Sequence, residues 1–309
     1  MEPKLSVVFI TYNHEPFIKE ALDSVLMQEV DFPYEIVVGE DCSTDRTRDI
    51  LREYERDYPR LFKLLFRDKN LGAPTRNVYE TAMACRGEYL AFLEGDDYWT
   101  VPYKLQRQVD FLDSHPEYMG TTAGLKIINE RGEMSHHAAK EALYNWSGDY
   151  SFEDYKKAGP WPGQTASNVC RNFFHNGKLD YSILYRAHDF IDDGIIFLFI
   201  LLQGKIFRFD EVMTAHRVIE KKGGESWTSR KHDRNLVLEE YALKRTMMQW
   251  CEENVGLSDS AFKRADREFK AVCKEMLKHP SIAAFKCFKQ SLGYWLHLKF
   301  GRVRMRGGK

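Results

Sequence analysis

At 309 residues, with 43% hydrophobic, 29% charged and 14% aromatic side chains, the chain has the make-up of a folded protein able to bury a substantial core, not of a disordered one. A net charge of -1 gives no overall bias toward nucleic acid or membrane, so no nucleic-acid partner is expected. Six cysteines lie far apart with no zinc-site spacing, which reads as reduced thiols in a cytoplasmic protein.

The start, MEPKLSVVFITYN, lacks the basic segment and small-residue cleavage site of a signal peptide. Leu5 to Ile10 reads as a strand, TYNHEP as a loop, and Ile18, Leu22, Val25 and Leu26 as one face of a helix. YEIVV predicts a second strand ending in GEDCSTDRT, where Ser43 or Thr44 is placed to cap the helix carrying Ile50, Leu51 and Tyr54. FKLLF is the third strand, and RDKNLGAPTRN leads to a helix from about Thr75 to Cys85. The fourth strand, in YLAFLEGDDYW, ends in Glu94, Gly95, Asp96 and Asp97. Carboxylates this crowded at the mouth of a core strand are costly to desolvate unless a cation or hydrogen-bond donors meet them.

Strands alternating with helices predict an α/β fold with a mostly parallel twisted sheet, and ligands in such sheets bind beyond the carboxyl ends of the strands. The loops that fall there carry Asp41, Glu94, Asp96 and Asp97, with Arg67, Lys69 and Arg76 as cations. Further on, a helix runs through Leu105 to Leu112, and TTAGLKIINERGEM reads as a strand turning at Arg131-Gly132. Ala138 to Ser167 reads as a long loop with short elements. The longest uncharged apolar run, IIFLFILL, has eight residues where a membrane span needs about 20. From Asn235 the pattern is helical, with one stripe from Phe262 to Leu277 and another from Phe285 to Leu296. Between Ala261 and Lys309 stand 13 Lys and Arg against three acids, a basic segment suited to an anionic membrane, or else to a helical pair packed on the catalytic domain with a solvated basic face, or to an oligomer contact.

LSVVFITYNHEPFIKEALDSVLMQ, YEIVVGEDCSTDRT, NLGAPTRN and GEYLAFLEGDDYW resemble, in order and spacing, the N-terminal half of the inverting GT-A glycosyltransferases of family 2. The likeness covers residues 4 to 125, with a second segment from Asp192 to Ser229 that looks like that family's acceptor side. It implies a GT-A, Rossmann-like catalytic domain over 1–230, its donor half at 1–125 and acceptor half at 126–230, with a basic helical region at 231–309. It implies that Thr11, Tyr12 and Asp41 hold base and ribose, with Arg76 and Glu94 as further donor contacts. It also implies that Asp96 and Asp97 occupy the place of the motif that binds Mn²⁺ or Mg²⁺ and the donor diphosphate, the donor being a UDP-sugar and the acceptor a glycan or lipid-linked saccharide. Glu94 replaces the usual first Asp, so Asp96 and Asp97 carry more weight.

Aligned on DGIIFLFILLQGK, Asp193 takes the position of the family's general base, Asp192 being its neighbour. His216 is a candidate metal ligand, although this family often has Tyr-Arg where the chain has His216-Arg217, and Glu220 stands where a histidine is common. Trp227, in GGESWTS, is a candidate surface for stacking a sugar. Plainer alternatives stand beside each: a solvated turn for EGDDYW, a helix cap for Asp41, turn closure for Thr11 and Tyr12, first-turn placement for Arg76, capping for Asp192 and Asp193, and core packing for His216 and Trp227. An inactive sugar-nucleotide-binding module and a sugar-phosphate nucleotidylyltransferase are the rival functions.

Overall fold

The computed structural model describes residues 2–138, 141, 145–156, 162–190, 193–219, 236–257, 265–278, 281, 284–289, 291, 292 and 296. The chain divides into two compact units, Met1–Phe152 with Pro160–Gly224, and Glu153–Gly159 with Glu225–Lys309.

In the first unit, β1 (Leu5–Thr11) is buried along its whole length, as expected of a strand covered on both faces. It pairs in parallel with β2 (Tyr34–Glu40) on one side and β4 (Tyr89–Glu94) on the other, and β2 pairs in parallel with β3 (Phe62–Phe66). The intervening helices are α1 (Ile18–Leu26), α2 (Thr47–Asp57) and α3 (Pro74–Met83). Helix α1 buries Ile18, Ala21, Leu22 and Val25, steps of three and four that give one apolar face. Because the chain runs outward from β1 to β3 and returns to β4 on the far side of β1, the strand order reverses at β1. Such a reversal opens a crevice beyond the strand ends.

The later elements are β5 (Tyr98–Trp99), α4 (Lys104–Ser114), β6 (Tyr118–Ile128), β7 (Gly148–Tyr150), α5 (Phe152–Lys156), β8 (Val169–Arg171), α6 (Ile183–Ala187), α7 (Asp193–Leu201) and β9 (Lys205–Arg217). Among the described residues nine strands form one sheet in the order β3-β2-β1-β4-β8-β6-β9-β5, with β7 also on β9. Strand β8 is antiparallel to both β4 and β6, and β5 is antiparallel to β9. The sheet is therefore mixed around its parallel part.

Two local readings are corrected and one strand is added. The α2 N-terminus has no side-chain cap from Ser43 or Thr44; the Asp45 carboxylate accepts from the Thr47 N–H at 3.0 Å instead. The added strand is β9, Lys205–Arg217, whose 13 residues include His216 and whose register on β6 shifts at Gly124. A Cβ on Gly124 would stand 2.6 Å from the Asp210 carbonyl oxygen, so glycine lets the two backbones close at the bulge. In the second unit α8 (Leu236–Val255) and α9 (Ala265–Lys278) pack together, but Leu277, at 80% exposure, and Phe285, at 51%, face solvent and leave their expected apolar stripes.

Candidate active site

The loops after β1 and β2 are sewn to each other. Asn13 and Cys42 both have positive φ, a conformation that the side-chain hydrogen bonds of Asn tolerate at little cost. The N–H groups of Asn13, His14 and Glu15 donate to Ser43 Oγ, Thr47 Oγ1 and Asp45 Oδ2 at 2.9, 3.0 and 3.0 Å. Asn13 Oδ1 in turn accepts from the Thr44 N–H at 2.8 Å. Ser43 and Thr44 are thus committed to joining loops.

Register brings Thr11 beside Glu40 and Ile10 beside Glu94. Thr11 is buried, and its carbonyl accepts from the Asp41 N–H at 3.0 Å; Tyr12 follows it half-buried. The Asp41 carboxylate accepts from the Leu71 N–H at 2.8 Å, so it faces the loop after β3 and does not cap α2. Burial lifts its pKa above the usual range, against the Leu71 N–H and the Arg67 charge. Glu40, wholly buried, is ion-paired with Arg48 and accepts from the Ser43 N–H, a support that sequence reasoning missed.

Gly95 lets the acidic loop close on this region. A Cβ there would lie 2.7 Å from both Thr11 Oγ1 and His14 Nδ1. Asp96 Oδ2 stands 3.9 Å from His14 Nε2, while Asp96 Oδ1 is buried with no hydrogen-bond partner among the described residues. Burial raises the pKa of Asp96, the Asp97 charge adds to this, and His14 and His216 oppose it. Asp97 is 1% exposed. Strand β5, pairing Tyr98 with Ala215, sets its carboxylate against the end of β9, where it accepts from the Arg217 N–H at 2.7 Å and lies 3.1 Å from His216 Nδ1. Burial works against charge on His216, but Asp97, then Asp96 and Asp193, overcome it and lift its pKa to about 9.

Arg217, also missed as a support, ties this loop down. Its Nε donates to the Asp96 carbonyl at 2.8 Å, its Nη2 to Glu20 at 2.6 Å and its Nη1 to the Asn129 carbonyl at 3.2 Å. Only the unusual His-Arg pair signalled it in the sequence.

Asp193 begins α7, whose residues Ile195 to Leu201 are all buried, an anchor hydrophobic on every side. Thr165 Oγ1 donates to its carboxylate. The preceding residue, Gln164, places Nε2 3.4 Å from Asp97 Oδ2 and 3.3 Å from His216 Nδ1. Asp97, His216 and Asp193 are therefore brought together around one short turn. Arg76 is half-exposed, paired with Glu80 at 2.8 Å, with its guanidinium 5.8 Å from the Tyr185 ring centroid, so among the described residues its side chain is engaged away from the site carboxylates. Asp192, Glu220 and Trp227 lie outside the described residues.

Among the described residues no group of three or more His, Cys, Asp or Glu side chains converges as a complete cation cage. The donor set nevertheless suits a divalent ion shared with a ligand. Asp97 and His216 face each other at hydrogen-bond distance across a contact that a cation can replace, and Asp96 offers an unmatched oxygen. Carboxylate with imidazole suits Mn²⁺ better than Mg²⁺, which prefers oxygen alone.

The sequence profile of glycosyl transferase family 2 matches residues 6–177, more than half of the chain. The chain belongs to that family. The matched stretch takes in Thr11, Asp41, the acidic loop and Gln164-Thr165, and ends before Asp193 and His216. An uncharacterized protein of Mycobacterium tuberculosis is 37% identical over 192 residues, 61% of this chain and 49% of its own length. The chain thus spans about half the length of that relative. Staphylococcus aureus TarS, a poly(ribitol-phosphate) beta-N-acetylglucosaminyltransferase, is 35% identical over 132 residues, 42% of this chain and 22% of TarS. The structure of TarS in complex with UDP superposes with a TM-score of 0.65 at 19% identity, covering 95% of this chain and 80% of that one. The mannosyltransferase PcManGT of Pyrobaculum calidifontis, in complex with GDP-Man and Mn²⁺, gives 0.51 at 17% identity, with 96% and 81% covered. These likenesses establish the GT-A architecture of this family 2 chain.

Proposed function

We propose that this chain is an inverting, metal-dependent glycosyltransferase that moves a sugar from a nucleoside-diphosphate donor, with UDP as the nucleotide, to a hydroxyl of a glycan or lipid-linked saccharide. The observation that carries the reading is the grouping of Asp97 and His216 with a separate carboxylate, Asp193, around the Gln164-Thr165 turn. A single displacement needs a held leaving group on one side of the sugar and a base on the other.

In this reading Thr11, Tyr12 and Asp41 hold the nucleoside, the Asp41 carboxylate accepting from the base, and Asp96 receives a ribose hydroxyl or shares the cation. Asp97 and His216 would hold a divalent ion, which supplies charge stabilisation to the departing diphosphate. Asp193 takes the proton of the acceptor hydroxyl as its oxygen bonds to the anomeric carbon. The bond to the diphosphate breaks, UDP leaves, and the configuration inverts. Residues 1–230 would form the catalytic domain, with 1–125 as donor half and 126–230 as acceptor half.

Nucleotidylyl transfer is disfavoured by a specific observation. The N–H groups of Asn13, His14 and Glu15, which would have to cradle phosphate, already donate to Ser43, Thr47 and Asp45. The C-terminal region, 231–309, is assigned to peripheral contact with an anionic membrane, which would suit a lipid-linked acceptor and a cytoplasmic enzyme at the inner face. No helix of the described residues is long and apolar enough to cross a membrane. Screening UDP-, GDP- and dTDP-sugars for hydrolysis and thermal stabilisation, with and without Mn²⁺, tests the function. Hydrolysis of a UDP-sugar that requires the metal is expected, and stabilisation by sugar nucleotides with no turnover would instead favour an inactive binding module.

A further inference from the structure

Between the donor-side pair and the candidate base lies a single turn of 3-10 helix, Thr165–Ser167, with Gln164 as its cap. This turn is more rigidly held than a loop connection requires. Thr165, Ala166 and Ser167 are all buried, and Gln164 Oε1 accepts from the Ala166 N–H at 3.0 Å. The Ala166 carbonyl accepts from Trp99 Nε1 at 3.0 Å and the Ser167 carbonyl from Gln108 Nε2 at 3.1 Å. The turn is thereby fixed to β5, the strand that follows Asp97, and to α4.

From this fixed block two neighbouring side chains point to two different chemistries. Gln164 reaches the Asp97 and His216 pair, and the Thr165 hydroxyl donates to Asp193. A carboxylate at a helix start has several rotamers, and one that must meet an incoming hydroxyl gains from being held in one of them. The hydroxyl of Thr165 does this while leaving the second carboxylate oxygen for a proton. We infer that Gln164-Thr165 is a spacer that sets the separation between leaving-group site and base, with Thr165 the positioning residue for Asp193 and Gln164 that for Asp97 and His216. This rests on Asp193 being the base.

Two substitutions one residue apart should then have opposite kinetic signatures, read as hydrolysis of UDP-glucose and UDP-N-acetylglucosamine in Mn²⁺. Thr165→Val should lower kcat by about 10- to 10²-fold, the scale of an ångström-level misplacement, with donor KM unchanged, and Thr165→Ser should restore most of the turnover. Gln164→Ala should raise donor KM and the Mn²⁺ needed for half-activation, with kcat at saturation nearly kept. The same signature from both variants, or wild-type turnover in Thr165→Val, would overturn the inference. A double cycle of Thr165→Val and Asp193→Ala in urea unfolding needs no turnover; strict additivity of the two midpoint shifts would also overturn it. If Asp193→Asn hydrolyses donor at the wild-type rate while that cycle shows coupling, the base assignment fails and the contact stands.

Discussion

Arg217 reaches the acidic loop twice, through its backbone N–H to the Asp97 carboxylate at 2.7 Å and through Nε to the Asp96 carbonyl at 2.8 Å. The first bond survives any side-chain change and the second does not. The side chain is 3% exposed and also stacks on Phe17, its guanidinium 4.6 Å from the ring centroid. Arg217→Ala leaves the Asp96 carbonyl unmatched and should destabilise the protein by about 1–3 kcal/mol. It should also weaken stabilisation by Mn²⁺ with UDP, because the Asp96 end of the acidic loop loses its side-chain brace while the Asp97 bond to the backbone N–H remains. Thermal denaturation with and without these ligands measures both effects.

EDTA should abolish transfer and Mn²⁺ restore it, with Asp97→Ala and Asp96→Ala sharply weakening donor binding. Full activity in EDTA would remove the metal from the proposed mechanism. Without metal, the raised pKa of His216, about 9, means that folding favours its protonated form. That contribution to stability is complete below about pH 6.5 and is lost as pH rises through 9. The gap in Tm between metal-free wild type and His216→Gln should accordingly narrow over this window. Because a bound metal must displace the same proton, apparent Mn²⁺ affinity should rise with pH across it.

Lys104 gives the opposite sign in an overlapping window. It is wholly buried 4.5 Å from the Trp99 ring centroid, its Nζ has no hydrogen-bond partner among the described residues, and burial lowers its pKa to about 7. Between about pH 7 and 10.5 the unfolded chain binds the proton that the native chain lacks, so this residue's cost falls as pH rises. Lys104→Met keeps an unbranched stem and removes the amine. It should raise Tm, with a gain that is largest near pH 7 and shrinks toward pH 10. An unchanged or lowered Tm at pH 7 would show that the ammonium is better solvated than its burial implies.

The parallel strands were legible because β1, β2 and β4 are near-continuous apolar runs, the signature of strands buried on both faces. The acidic loop stood out for the same reason, as charge where the run stops. Strand β9 was not legible, since the bulge opposite Gly124 places Asp210 and Glu211 inside it and breaks the alternation. Nor were Glu40, Gln164, Thr165 and Arg217 legible as supports. Their positions follow from contacts such as Arg217 with Glu20, nearly the length of the first unit apart in sequence, which no local pattern encodes.

The basic C-terminal segment should bind anionic lipid. Leu277 and Phe285 are exposed where an amphipathic helix in water would hide them, and Lys289 Nζ lies 5.0 Å from the Phe285 ring centroid. Apolar side chains among lysines suit a headgroup boundary, where each juxtamembrane cation contributes about 1 kcal/mol. The 309-residue chain should float with vesicles containing anionic lipid, lose this in high salt, and float far better than a chain ending at Leu257. Equal flotation of the two would return these helices to a role in packing or oligomer contact.

Asp193 should behave as the base because Asp96 and Asp97 are held together on the side proposed for the leaving group. Asp97 is engaged by Arg217, His216 and Gln164, and Asp96 has its backbone held by Arg217 and its carboxylate beside His14. A group committed to the leaving-group side of a sugar is badly placed to take a proton on the opposite face. Asp193 comes from a later segment, is anchored by the buried α7, and is set by Thr165. Asp193→Asn keeps the shape and the start of the helix but not the basicity, so turnover should fall by roughly 10²- to 10⁴-fold with donor affinity little changed. Asp192→Asn is the control, expected to be much milder. If Asp192→Asn is the silent enzyme and Asp193→Asn stays active, the assignment moves by one residue. If both stay active, the proton goes to a group on another segment, and the acceptor side must be sought away from α7.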